Sequence, residues 1–189
     1  MNTQAILSYL PQAQRHYDAL RAYYQNLSFR EAVDNAARGR IPLNSSNCSF
    51  AATGFDGHQH RIGHDKCREG AEALLETEIF QRLERAQSFE DIMDITNEVA
   101  GRIERLGPLW SYDTALRIAL HRDWHPRNVY LQTGARGGAN ILRDQGLISP
   151  MELRGRRHVS RSAFPTFLQQ YEPYMIEHLL CVAKRENWL

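Results

Sequence analysis

Apolar residues recur along most of this chain at intervals of three and four, the spacing of a helix face rather than of a strand. Residues 5–10 form a short apolar-spaced turn, and beyond Pro11 the positions Tyr17, Leu20, Tyr23 and Tyr24 keep the helical interval. Ser28 followed by Glu31 makes a capping box, in which the hydroxyl takes an orphan amide and the carboxylate reaches back to the cap; a helix over 29–37 follows. The interval disappears over residues 39–63, which read as one long irregular loop of a length usually tied to function or disorder. It returns over 64–83. Ser88 and Asp91 then start a helix that carries Ile92, Ile95, Val99 and Ile103 and stops near Leu106. Pro108 suits the first turn of the next helix, with Leu109, Tyr112, Leu116 and Ala119 on one side. Gly134, Gly137 and Gly138 suggest a glycine-rich turn after it. Ser149-Pro150 repeats the start signal, and residues 173–187 read as a terminal helix whose stripe of Met175, Ile176, Leu179, Leu180 and Val182 docks on a core. The pattern predicts an all-α fold: one compact multi-helix domain over residues 1–189, with helices in 1–38 and the 39–63 loop open to reading as a small appendage.

Composition narrows the class. At 189 residues and 42 % hydrophobic side chains, the chain is long enough to bury a sizeable core. No apolar run approaches the roughly 18 residues that cross a bilayer, and the first residues lack the basic start of a secretory signal. Cys48, Cys67 and Cys181 have no framework spacing, so reduced thiols in a cytoplasmic protein are expected, with no membrane partner. The net charge of +1 conceals an asymmetry: residues 1–100 carry 10 basic and 14 acidic side chains, residues 101–189 carry 13 and 8. Of the 23 basic residues 21 are arginine, whose planar, permanently charged fork suits phosphate and carboxylate.

Within the basic half, Leu106-Gly107-Pro108-Leu109-Trp110-Ser111 resembles the turn of a helix-hairpin-helix motif, apolar-Gly-x-x-(Ser/Thr), with the serine one position late. The motif carries another glycine two positions before Gly107, where this chain has Arg105. Such turns hold a DNA phosphate with the unpaired amides and positive end of the second helix. The resemblance implies that Gly107, Leu109 and Trp110 present backbone to phosphate, while Arg105, Arg122, Arg127 and Arg136 neutralise neighbouring phosphates. Over about residues 102–142 it extends toward helix-hairpin-helix DNA glycosylases, which place a catalytic Asp in a loop after the hairpin. The matching residues, 125–132, hold no carboxylate, which leaves Asp113 and Asp123 as the candidate catalytic groups and a non-catalytic relative as the other outcome. His121-Arg122-Asp123 with Asn128 also matches a protein-kinase catalytic loop, but nothing upstream supplies the glycine-rich strand pair and strand lysine that chemistry needs.

Two other clusters carry chemistry. Cys48, His58, His60, His64 and Cys67 are thiol and imidazole donors in one loop, a nonstandard ligand set for zinc that would order a segment with little core of its own; no other cofactor is expected. Arg154, Arg156, Arg157, His158 and Arg161 form a basic run that, with the arginines above, makes DNA the expected partner. Trp110, Tyr112, Trp124 and Tyr130 lie among these arginines and would stack on unpaired bases. The competing expectation is a non-enzymatic interaction module, toxin-neutralising or effector-binding, that meets a protein partner through the Tyr-rich N-terminal helices.

Overall fold

The computed structural model describes residues 2–42 and 54–189, and it is mostly helical. The chain divides into two compact units, one of Met1–Gln14 with Pro126–Leu189, the other of Arg15–His125. Helix α1 (Thr3–Gln25) contributes its first turns to one and the remainder to the other. Pro11 lies inside α1 and does not end it. A mid-helix proline removes one hydrogen bond, but Ile6, Leu10, Ala13, Tyr17, Leu20 and Tyr24 form a buried stripe on both sides of it, and packing overrides the local cost.

The unit of residues 15–125 adds α2 (Phe29–Ala37), α3 (Gly57–Ile62), α4 (His64–Leu74), α5 (Thr77–Arg85), α6 (Phe89–Arg102) and α7 (Pro108–His121). The Ser28 capping box forms as the sequence implies, with the Ser28 amide donating to Glu31 Oε2 at 2.9 Å. Two expectations change. The 39–63 segment is not wholly irregular: Asp56 caps α3 by accepting from the His58 amide at 2.7 Å, and Arg40 bridges to Phe55. The 64–83 helix is two, broken between Leu74 and Thr77. Helix α7 is buried on nearly every side, from Trp110 through Leu120, so it forms the centre of this unit's core. Trp110 donates its indole N–H to the Ala37 carbonyl at 3.0 Å, and Gly70 lets α4 close on its ring, where a Cβ would sit 2.5 Å from Cζ2. Helices α6 and α7 are stitched by Thr96 Oγ1 donating to Ser111 O (3.1 Å) and Ser111 Oγ to Thr96 O (3.3 Å).

In the other unit, β1 (Asn128–Tyr130) and β2 (His158–Ser160) pair antiparallel in the register Asn128↔Ser160, Val129↔Val159, Tyr130↔His158. This two-stranded ribbon was not expected from the sequence. Helix α8 (Thr133–Asp144) takes in the glycines read as a turn. They serve close helix packing instead: a Cβ on Gly138 would lie 2.5 Å from the Leu180 carbonyl of α11 (Pro173–Arg185). Helix α11 buries Met175, Ile176, Leu179, Leu180 and Val182, the stripe the sequence shows. The short helices α9 (Pro150–Leu153) and α10 (Thr166–Gln169) complete this unit. No helix among the described residues is long and apolar enough to cross a membrane.

Candidate functional site

The connection from α6 to α7 spans residues 103–107. Arg105 sits at φ +73°, the left-handed region that favours glycine, and its side chain is exposed with no ion-pair partner among the described residues. Gly107 is the N-cap of α7 in an ordinary extended conformation (φ −142°, ψ −172°), and a Cβ there would meet nothing within 4 Å. Pro108 follows at the first helical position, and no side chain caps the helix. The first intrahelical bond runs from the Ser111 amide to Gly107 O at 3.1 Å. Ahead of it the early amides of α7 have no helical acceptor, as at any helix start.

One and a half turns further on, α7 enters a polar cluster in an otherwise apolar interior. Arg117, 4 % exposed, donates to Asp56 Oδ2 at 2.9 Å and to Gln59 Oε1 at 2.6 Å. Gln59 is fully buried and also reaches Thr114 Oγ1 at 3.4 Å. Asp113 Oδ2 lies 3.2 Å from His58 Nδ1, which is itself 4.0 Å from Asp56 Oδ1. Burial pushes the Asp56 carboxyl up, but Arg117 and His58 together outweigh it and hold it below its ordinary value. His16 is driven the other way: burial first, with Arg117 adding to it, lowers its imidazole to about 4 despite Asp56. It is therefore neutral at physiological pH.

The candidate carboxylates do not come together. Asp113 is half-buried against His58, whereas Asp123 lies past the other end of α7, exposed at φ +57° and 3.5 Å from Arg21. Of the expected phosphate contacts, Arg105 is free in the sense above, Leu109 is half-buried, and Trp110 has its ring in the core, where stacking on a base is impossible. Tyr112 and Tyr130 are buried too. Arg122 is spent on structure: its guanidinium donates to Ala86 O (2.9 Å) and Glu84 O (3.0 Å) at the end of α5 and lies over the Phe29 and Trp124 rings. Arg136 likewise donates to Leu153 O (3.0 Å) and Arg156 O. Arg127, Arg154, Arg157 and Arg161 are exposed on or beside the β1–β2 ribbon, and Arg156 pairs with Glu152 at 3.2 Å. Of the N-terminal tyrosines, Tyr17 and Tyr24 are buried, and Tyr9 and Tyr23 are half-buried.

Of the residues read as zinc ligands, the described ones, His58, His60, His64 and Cys67, do not form one group. Cys48 lies outside the described residues. Cys67 is buried, directs its thiol to Gln59 O, and has its pKa raised by burial to about 11, so it is no ready thiolate. Phe55 stacks on His64 with ring centroids 4.1 Å apart and meets His60 edge-on. Among the described residues, the grouping of metal-type donors is Asp56, His58 and Asp113. Asp56 and Arg117 were missed by the sequence reading, although an Arg within the apolar run Leu116-Arg117-Ile118 is a signal that a buried counter-ion must exist.

No family model matches the sequence, and neither a curated protein nor a solved structure matches it significantly.

Proposed function

We propose that this protein binds the sugar–phosphate backbone of DNA, with the α6–α7 hairpin as the element that receives a phosphate. One observation carries the reading: the turn is arranged against its own local stability. A residue with a Cβ in the left-handed region costs about 1 kcal/mol, and that position holds Arg105. Two residues later, glycine stands at an N-cap where neither φ nor crowding calls for it and where Ser, Asp or Asn would satisfy an orphan amide. Departures from the local optimum of this kind are expected where a ligand must approach. A bare Gly107 opens the start of α7 to an anion, which gains from the free amides and the positive helix end. Arg105 projects from the same turn as an uncommitted cation. Arg154, Arg157 and Arg161, exposed and without ion-pair partners among the described residues, supply further positive charge in the other unit.

Backbone contact is favoured over base excision because residues 125–132, where the resemblance places a catalytic carboxylate, hold none, Asp123 is exposed beside Arg21, and Asp113 is engaged by His58. Fluorescence anisotropy of labelled duplex and single-stranded oligonucleotides over a salt series tests it. Binding should weaken linearly in log Kd against log salt, since each neutralised phosphate releases counterions. Arg105→Ala should reduce the slope by about one phosphate contact. Absence of binding at low salt, or an unchanged slope in the variant, would overturn the proposal.

A further inference from the structure

We propose that Asp56, His58 and Asp113 are the protein ligands of a divalent transition-metal ion, a site independent of the DNA-binding reading. Each residue offers one donor atom, and the three atoms lie within 4.8 Å of one another. Bonds of about 2.0–2.2 Å from nitrogen and oxygen to such a metal place ligand atoms about 3 Å apart when adjacent and about 4.3 Å apart when opposite. His58 Nδ1 to Asp113 Oδ2 is 3.2 Å and His58 Nδ1 to Asp56 Oδ1 is 4.0 Å, so two of the three separations already fit. The third separation, between the two carboxylates, lies within the same 4.8 Å.

Two carboxylates face one buried guanidinium, and that guanidinium is committed: Arg117 grips Asp56 Oδ2 and Gln59 Oε1. Its bond leaves Asp56 Oδ1 turned toward His58 and fixes the carboxylate plane, the role an outer partner plays toward a metal ligand. Asp113, with a side chain only 12 % exposed, has His58 as its one hydrogen-bond partner among the described residues. The supports are rigid, because Asp113 rides on the buried helix α7 and Asp56 is tied at both oxygens. One imidazole and two carboxylates, with no thiolate, suit Mn²⁺, Fe²⁺, Co²⁺ or Zn²⁺ better than soft ions. Three protein ligands leave coordination positions open to water or a substrate oxygen, as in catalytic rather than closed structural sites.

The full chain, stripped with chelator, is titrated with MnCl₂ and separately with ZnCl₂ by calorimetry. One equivalent should bind, and Asp113→Asn and His58→Gln should each weaken it at least tenfold, while His60→Gln/His64→Gln leaves it unchanged. Circular dichroism confirms that the variants are folded. Because Asp113 adjoins the core, amide NMR of the wild type supplies the same answer without substitution: sub-stoichiometric Mn²⁺ should broaden His58, Gln59 and Asp113 first. No binding at millimolar metal would overturn the site. Binding that survives both single variants, or broadening centred on His60 and His64, would overturn it as well.

Discussion

Placing a carboxylate on the bare N-cap of α7 separates stability from binding. Gly107→Asp introduces a side chain into open space, at an extended backbone that an aspartate adopts freely. As a cap it takes one orphan amide, a gain over glycine of a few tenths of a kcal/mol, and its charge at the positive helix end adds about 0.3–1 kcal/mol. The sum is about 0.5–1 kcal/mol, which raises Tm by about 1–4 °C for a chain of this size. The same carboxylate occupies the place assigned to a phosphate. A like charge about 4 Å from that phosphate opposes it by about 1 kcal/mol even under full aqueous screening, so affinity for duplex DNA should fall at least fivefold at low salt. Urea melts and anisotropy on one preparation read both quantities. If stability rises while affinity is unchanged, the amides of α7 do not touch phosphate; if stability falls, Gly107 is there for the fold and the turn argument fails.

Three further perturbations probe the framework. Arg117→Met leaves Asp56 as an uncompensated, largely buried charge and should cost about 3 kcal/mol or more in urea unfolding; a loss under 1 kcal/mol would mean that water reaches Asp56 freely. His16 has a folded-state pKa of about 4, below its ordinary 6.5. The unfolded chain therefore binds the extra proton between those values, and stability should drop as pH falls from 6.5 to 4, by at most about 3 kcal/mol. The Asp56 contribution has the same sign but is lost at still lower pH, below the ordinary carboxylate range. His16→Gln should flatten the upper part of that profile, and an unchanged slope would refute the assignment. Gly138→Ala drives a methyl against the Leu180 backbone and should destabilise by about 1–3 kcal/mol, visible as a lowered Tm; a neutral result would show that α8 and α11 pack less closely than described.

The helices with capping signals and long apolar stripes were legible in the sequence, because those signals are local: Ser28 with Glu31, Ser88 with Asp91, and the stripe of α11 all lie where they were read. Helix α3 was not, since six residues rich in His and Gln have no period to detect and depend on the Asp56 cap. The three-residue strands β1 and β2 are too short for alternation to register. Gly134, Gly137 and Gly138 carry the composition of a turn, and only the proximity of α11, more than thirty residues away in sequence, explains them as packing. The polar cluster shows the same limit. His58 and Asp113 were each visible as candidates, but their meeting joins residues 55 apart, and Asp56 and Arg117 gain meaning only from that approach.

Titrating ¹⁵N-labelled protein with a short duplex at low salt tests, at the atoms concerned, whether a phosphate sits on the first turn of α7. Fast, salt-reversible shifts of the Arg105, Gly107, Leu109 and Trp110 amides are expected ahead of the rest of the 15–125 unit, abolished in Gly107→Asp. Shifts confined to other surfaces, with these amides unmoved at saturating DNA, would contradict that placement.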